Sequence, residues 1–295
     1  MANRRVLVKR RKAVRNIRKI TRTMQLIATA RFQAAYNRAM ATKPYSDKLA
    51  ELVADLSRAA GEGADHPLMH THEDAERTAM VVLTSGRGFC GGYNASVLRT
   101  AIEAIEASPR DVDVHMVGKK GVNYFRFVHR EIAERTVGIG ETPRFDQVEP
   151  IANRLIDRFV KGEIAAAHVA YMRFHSPSRQ VPEILQLLPL AVSTPGEDEA
   201  AAAAEGRRAV EYEFSPEPKA LLEDLLPASV RMRLFQCFTD AVVSEQVARM
   251  VAMKAATDAA GDMIKSLTRQ YNRARQTHIT MELLDIIGGA SQLAA

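Results

Sequence analysis

Apolar residues at Val14, Ile17, Ile20, Met24 and Ile27 follow one another at spacings of three, three, four and three. That interval marks one narrow helical face, of the width that seats a partner helix. Lys and Arg fill many of the positions around it. No Gly occurs before Gly61, and Pro44 is the one Pro in this stretch. It should kink the helix without ending it, because the pattern resumes from Tyr45 to Leu56. A single helix is predicted over 3–60. At ~1.5 Å per residue it spans roughly 85 Å, far beyond the ~11-residue mean of globular helices. Gly61-Glu62-Gly63 should stop it.

The far end of the chain repeats the pattern. Pro227-Ala228-Ser229 can start a helix, with Ser229 as N-cap. From there to Ile287 no Pro occurs and Gly261 is the one Gly. Met250, Met253, Ala256, Ala260, Met263, Leu267, Tyr271 and Ala274 recur at threes and fours, and Gly288-Gly289 should end the helix. Ala255, Ala256, Ala259 and Ala260 would let a partner helix approach closely. Two long helices of matched length at opposite ends of one chain predict an antiparallel coiled coil.

Between them the period changes. Short apolar runs over 79–84, 112–117, 132–137, 165–174 and 181–190 read as strands, the last two forming a hairpin around Ser176-Pro177-Ser178. Helical stretches over 93–107, 119–128 and 145–161 separate the first four. Such alternation predicts an α/β domain, Rossmann-like, with a mostly parallel sheet. The fold class expected is therefore α/β, with this central domain over 76–215 and a coiled-coil shaft from 1–60 and 228–295. Residues 61–75 and 193–227 connect them; 193–209, with five consecutive Ala after Glu199, read as a loop insertion or a loose helix.

Charge sharpens the picture. The net charge of +6 comes from 41 Lys and Arg against 35 Asp and Glu in 295 residues, but it is unevenly placed. No acidic residue precedes Asp47, while thirteen basic ones do. That end should attract something negative. Aromatics are only 6% and Trp is absent, which disfavours a stacking platform for single-stranded nucleic acid. Two cysteines, Cys90 and Cys237, make neither a disulfide framework nor a cysteine zinc site. No run approaches the ~18 apolar residues of a membrane span.

Candidate chemistry is sparse. Ser85-Gly86-Arg87-Gly88-Phe89-Cys90-Gly91 contains G-x-G-x-x-G between a predicted strand and a predicted helix, the context of a dinucleotide fingerprint. The second strand should then end in an acidic residue for a ribose; it ends at Gly118-Lys119-Lys120. A tight strand-to-helix turn is the better reading, and no cofactor is expected. His66, His70 and His72 could grip a metal, but Pro67 and the lack of a cysteine partner favour loop histidines. No nucleophile–base set can be placed by spacing, so no catalytic residue is expected.

Arg15-Asn16-Ile17-Arg18-Lys19-Ile20-Thr21-Arg22-Thr23-Met24, continuing to Ala28-Thr29-Ala30-Arg31, is matched at the other end by Ser244-Glu245-Gln246-Val247-Ala248-Arg249-Met250-Val251-Ala252-Met253-Lys254-Ala255-Ala256-Thr257-Asp258. Tyr271-Asn272-Arg273-Ala274-Arg275-Gln276 and Ile279-Thr280-Met281-Glu282 follow. These blocks closely resemble the gamma subunit of rotary F-type ATP synthases. The turn from Ser85 to Asn94 also resembles a family motif, with Gly86 where the family usually has Asp. Arg31 stands where the family commonly has Lys.

The resemblance implies a non-catalytic rotor in the central stalk. Its shaft would insert into a hexamer of alternating alpha and beta subunits, and its middle domain would touch the epsilon subunit and the membrane ring of c subunits. Proton flow would turn ring and shaft, driving ATP release from beta. By the family's pattern the hexamer contacts are Lys19, Arg22, Met24 and Arg31 on the first helix, with Arg249, Lys254, Arg273, Arg275 and Gln276 on the last. Arg87, Cys90 and Asn94 would face epsilon or the c ring. The family motif begins close to Met1, leaving no room for a removable leader; a peripheral protein on the cytoplasmic side of a bacterial inner membrane is expected. No direct membrane span and no nucleic-acid partner are expected. The alternative is a basic coiled coil that binds nucleic acid, with an affinity falling steeply as salt rises.

Overall fold

A computed structural model describes residues 4–60, 66–190 and 218–293. Helix α1 runs Arg4–Ala60, α2 Tyr93–Ala107, α3 Lys119–Phe127, α4 Phe145–Val160 and α5 Pro218–Leu293. Strands β1 Arg77–Leu83, β2 Asp111–Val117, β3 Glu134–Thr136, β4 Ala167–Ser176 and β5 Arg179–Leu188 lie between α1 and α5. The chain forms two compact units. A helical unit holds Met1–Ala30 with Arg249–Ala295, and a sheet unit holds Arg31–Ala248. The division falls inside both long helices rather than at 60 and 228.

In the sheet unit the strand order is β3-β2-β1-β4-β5. β1 pairs in parallel with β2 and β4, and β2 with β3; only the β4–β5 hairpin is antiparallel. Six of the seven residues of β1 are buried, as a central strand covered on both faces requires. On one face Val81, Leu83, Val169 and Tyr171 pack on Val148, Ile151, Leu155 and Phe159 of α4 and on Leu226, Val230, Leu234 and Phe238 of α5. On the other, Met80, Val82, Val114, Met116 and Met172 pack on Tyr93, Val97 and Leu98 of α2 and Val122 and Phe125 of α3.

Pro44 lies inside α1, as the resumed pattern predicts. Pro227 does not begin α5; it lies inside that helix, which starts nine residues earlier at Pro218. Leu222, Leu226, Val230 and Leu234 are buried at steps of four through the Pro. That continuous core face outweighs the one backbone hydrogen bond that Pro removes. Gly288-Gly289 does not end α5, which continues to Leu293. The expected helix stop at 61–63 and the expected loop over 193–209 lie outside the described residues.

A carboxylate is held in this core at a cost. Asp240 on α5 is pushed up to about 6, mainly by burial; the hydrogen bond from Gln236 Nε2 (2.9 Å) and the charges of Arg173 and Lys43 pull the other way, and Glu183 adds to the rise. Its folded value exceeds its unfolded one. The native state therefore binds the proton more tightly, and stability falls as pH rises from about 4 to 6. Asp240→Asn keeps the acceptor for Gln236 and removes the charge. Urea melts should show it about 2 kcal/mol more stable than the parent at pH 8 and nearly equal at pH 4. An equal gain at both values would show that the charge is not the cause.

Candidate functional site

In the helical unit the inward face of α1 repeats every seven residues: Leu7, Thr21 and Ala28 are buried and Val14 half-buried. The matching face of α5 is Met253, Thr257, Ala260, Ile264, Leu267, Tyr271 and Ala274, alternating four and three. This is the strict heptad of an antiparallel coiled coil. Thr21 meets Thr257, Arg18 passes over Gly261, and Arg11 stacks on the Tyr271 ring at 5.0 Å, so numbers rise on one helix as they fall on the other. The Thr257 hydroxyl donates to Thr21 Oγ1 at 2.8 Å, with both residues buried. A buried polar pair in an otherwise apolar seam fixes register.

On α5 the seam takes Met253, Ala260, Leu267, Tyr271 and Ala274 from the predicted stripe, but on α1 it lies on a different face from the predicted one. Ile17, Ile20 and Ile27 are 51%, 59% and 46% exposed, and Met263 on α5 is 54% exposed. Thr21, Ala28, Thr257 and Ala260 share the inside with Leu7, Met253 and Leu267, while Ile17, Ile20 and Ile27 of α1 stand outside with the charges. Val251, Ile279, Met281, Leu283 and Leu284 on α5 are likewise exposed.

The predicted contact residues divide accordingly. Lys19, Arg22, Lys254, Arg273, Arg275 and Gln276 are exposed and Met24 is half-buried. Arg22 donates to Gln25 Oε1, one turn along the same helix, at 3.2 Å. Arg249 is buried. Arg31, in the sheet unit, is half-buried and forms an ion pair with Glu141.

Of the glycine-turn residues, Arg87 is exposed while Cys90 is buried and Asn94 is half-buried. Asn94 Oδ1 accepts from Ser85 N at 2.9 Å, and Asn94 Nδ2 donates to Ser85 Oγ at 2.9 Å and to Cys90 Sγ at 3.2 Å. Cys90 and Asn94 thus hold the turn together from within. Positive φ falls on Phe89 (63°) and Gly91 (55°), not on Gly88. Phe89, in a conformation unusual for a side-chain-bearing residue, is 70% exposed.

Beyond the C-terminal ends of β1 and β2 lies a cavity of about 280 Å³ lined by Thr84, Arg87, Lys119, Glu141 and Glu245. Its walls do not suit a pyrophosphate. The amides at the start of α3 are already used: Lys120 N donates to Ser85 O at 3.1 Å and Gly121 N to Thr84 Oγ1 at 3.0 Å. The charges of Arg87 and Lys119 are offset by the carboxylates of Glu141 and Glu245.

His66 accepts from Leu68 N at 3.1 Å, and burial lowers its pKa. The His72 ring packs edge-on against Phe159 at 4.8 Å. Among the described residues no three His, Cys, Asp or Glu side chains are placed to hold a metal ion. The interactions that sequence reasoning missed are Thr21–Thr257 and Arg31–Glu141.

A family model described as ATP synthase matches residues 3–293. The ATP synthase gamma chain of Rhodopirellula baltica is 47% identical over 99% of this chain and 99% of its own length. That of Leptospira biflexa is 36% identical over the full length of both. In fold, the chain is similar to a subunit of the Euglena gracilis mitochondrial ATP synthase, solved as OSCP/F1/c-ring in rotational state 3. The TM-score is 0.65 at 17% identity, covering 98% of this chain and 94% of the other.

Proposed function

Since the chain belongs to the ATP synthase gamma chain family, we propose that its exposed basic and apolar residues are the surface on which a ring of alpha and beta subunits bears. The chain is a non-catalytic subunit that serves as the central-stalk rotor, and its relatives give no support to the nucleic-acid alternative. The observation that carries the proposed surface is the row of large apolar side chains left exposed on α1. The seam of α1 uses Leu7, Val14, Thr21 and Ala28, while Ile17, Ile20 and Ile27 stand outside among Arg and Lys. Large apolar side chains left in water on a rod are unfavourable until something covers them. The cations among them favour acidic loops, through screened contacts that can be made and released as the rod turns.

On this reading Lys19, Arg22, Met24, Lys254, Arg273, Arg275 and Gln276 meet the hexamer. Arg87 and the turn it stands on meet epsilon or the c ring; Cys90 and Asn94 support that turn from inside. The proton-driven ring then turns the rod, and its unequal faces set the three beta sites in different states. No helix among the described residues is long and apolar enough to cross a membrane. The protein is a peripheral part of its complex, and we place that complex at the cytoplasmic face of a bacterial inner membrane.

The test is reconstitution. The chain alone should hydrolyse no ATP above background. Added to alpha and beta subunits, it should give steady multi-site turnover. Replacing Lys19, Arg22 and Arg273 together by Ala should lower that turnover while leaving the melting temperature of the chain within a few degrees. Hydrolysis by the isolated chain would defeat the rotor reading.

A further inference from the structure

Residues 137–144 form a strap between β3 and α4, and one side chain on it touches two other elements. Glu141 Oε2 pairs with Arg31 Nη1 on α1, and Glu141 Oε1 lies 3.5 Å from Arg87 Nη1 on the glycine turn. The Glu141 side chain is 24% exposed, against 41% for Arg31 and 70% for Arg87. A carboxylate shared by two guanidiniums and partly shielded from water makes stronger contacts than an exposed surface pair.

The strap's other contacts lie on either side of this point. It lies between two hollows, the cavity of about 280 Å³ described above and a second of about 170 Å³ lined by Ala35, Thr42, Pro143, Phe235 and Val242. Glu141 lines both. Gly138 and Gly140 flank Ile139 with open space where a Cβ would stand. Ile139 packs on the core, and Gln147 Oε1 accepts from Arg144 N at 3.2 Å at the strap's end. Between those two anchors stand half-buried Pro143 and Glu141, and Glu141 supplies the charged contacts to α1 and the glycine turn.

We propose that Glu141 is a latch fastening α1 and the glycine turn to the strap, and that Arg31 acts inside the rotor through Glu141 rather than by touching the hexamer. The inference rests on the rotor reading above. Torque that enters the sheet unit must leave it along the long helices, and α1 enters the unit at Arg31. A strap that yields there absorbs part of each turn as deformation. Arg31 is then a positioning residue.

The whole synthase in inverted membrane vesicles provides the test, read as protons pumped per ATP hydrolysed. Arg31→Ala and Glu141→Ala should each lower the ratio by about threefold, the order expected for one part-buried charged contact. The double variant should also lose about threefold, because both changes break one latch. Arg31→Lys, which keeps the charge, should stay close to the parent. Should Glu141→Ala fail to fold, Glu141→Gln removes the charge at the same size and carries the same comparison. Two results would overturn the latch: a parental ratio in the Glu141 variants, whether or not Arg31→Ala shows a loss, or losses that multiply to about ninefold in the double variant. The rotor reading fails separately, if synthase assembled without this chain pumps at the parental ratio.

Discussion

Gly118→Ala should destabilise the sheet unit by about 3–5 kcal/mol, a large part of the ~5–15 kcal/mol that holds a domain folded. Gly118 joins β2 to α3 at φ +94°, where a side chain is strained. A Cβ there would lie 2.1 Å from the Thr84 carbonyl oxygen and 2.7 Å from its carbon. Both are backbone atoms, so no rotamer change relieves the clash. Nor can the backbone drift. Gly118 N donates to Thr136 O at 2.9 Å on the β3 side, and Thr84 N donates to Val117 O at 2.9 Å on the β1 side. The strain at positive φ adds about 1 kcal/mol. Gly86→Ala is the control: nothing stands within 4 Å of its Cβ position, so its effect should stay within about 0.5 kcal/mol. Denaturant midpoints measured side by side decide it. If the two variants unfold at the same midpoint, the close approach at Gly118 is not what the strand-to-helix junction requires.

The parts of this fold that were legible in the sequence are those set by local pattern. α2 begins and ends at the predicted residues, and β1 and β2 lie within two residues of theirs, because an apolar run between turns leaves a buried central strand few alternatives. The α1 half of the seam departs from the expected stripe for a physical reason, while the α5 half keeps Met253, Ala260, Leu267, Tyr271 and Ala274 of it. Hydrophobicity draws attention to Ile17, Ile20 and Ile27, yet close antiparallel packing selects small side chains such as Ala28 and Ala260, and a Thr pair that satisfies itself. The strict seven-residue step from Leu7 to Ala28 was the available signal, and it lay one face away from the larger side chains. Pro227 was misread because a Pro at a helix start and a Pro in a helix interior look alike until the burial of Leu222 and Leu226 is known.

The contact residues were legible in outline only. Resemblance and charge pointed to the outer face of α1, and Lys19 and Arg22 are exposed there. Nothing local separates them from Arg31, whose partner Glu141 is 110 residues away. The resemblance turns Cys90 and Asn94 toward epsilon or the c ring, whereas their polar groups close on Ser85 within the turn. Sequence pattern carries the period of an element, whereas pairing between elements depends on a fold that brings distant residues together.

Two disulfides placed on opposite faces of α1 should have opposite consequences for turnover. Thr21→Cys with Thr257→Cys lies in the seam, where the two native hydroxyl oxygens are 2.8 Å apart; that separation suits the short side-chain reach of a disulfide. Oxidation should link α1 to α5 and leave steady ATP turnover at the parental rate, because the two helices move as one body. Lys19→Cys, on the exposed face, should behave differently once linked to a cysteine on an adjoining beta subunit. That bond ties the rotor to its bearing, so multi-site turnover should stop and return on reduction. The native thiols do not interfere, since Cys90 and Cys237 are both buried. Gel mobility under non-reducing conditions scores each bond, and turnover is read on the same sample before and after reductant. A seam disulfide that halted turnover would mean that the helices slide past one another in each cycle. A Lys19 link that left the full rate would mean that this face does not turn against the hexamer. The first result would remove the rigid coiled coil, and the second the bearing surface, from the account of how the chain transmits rotation.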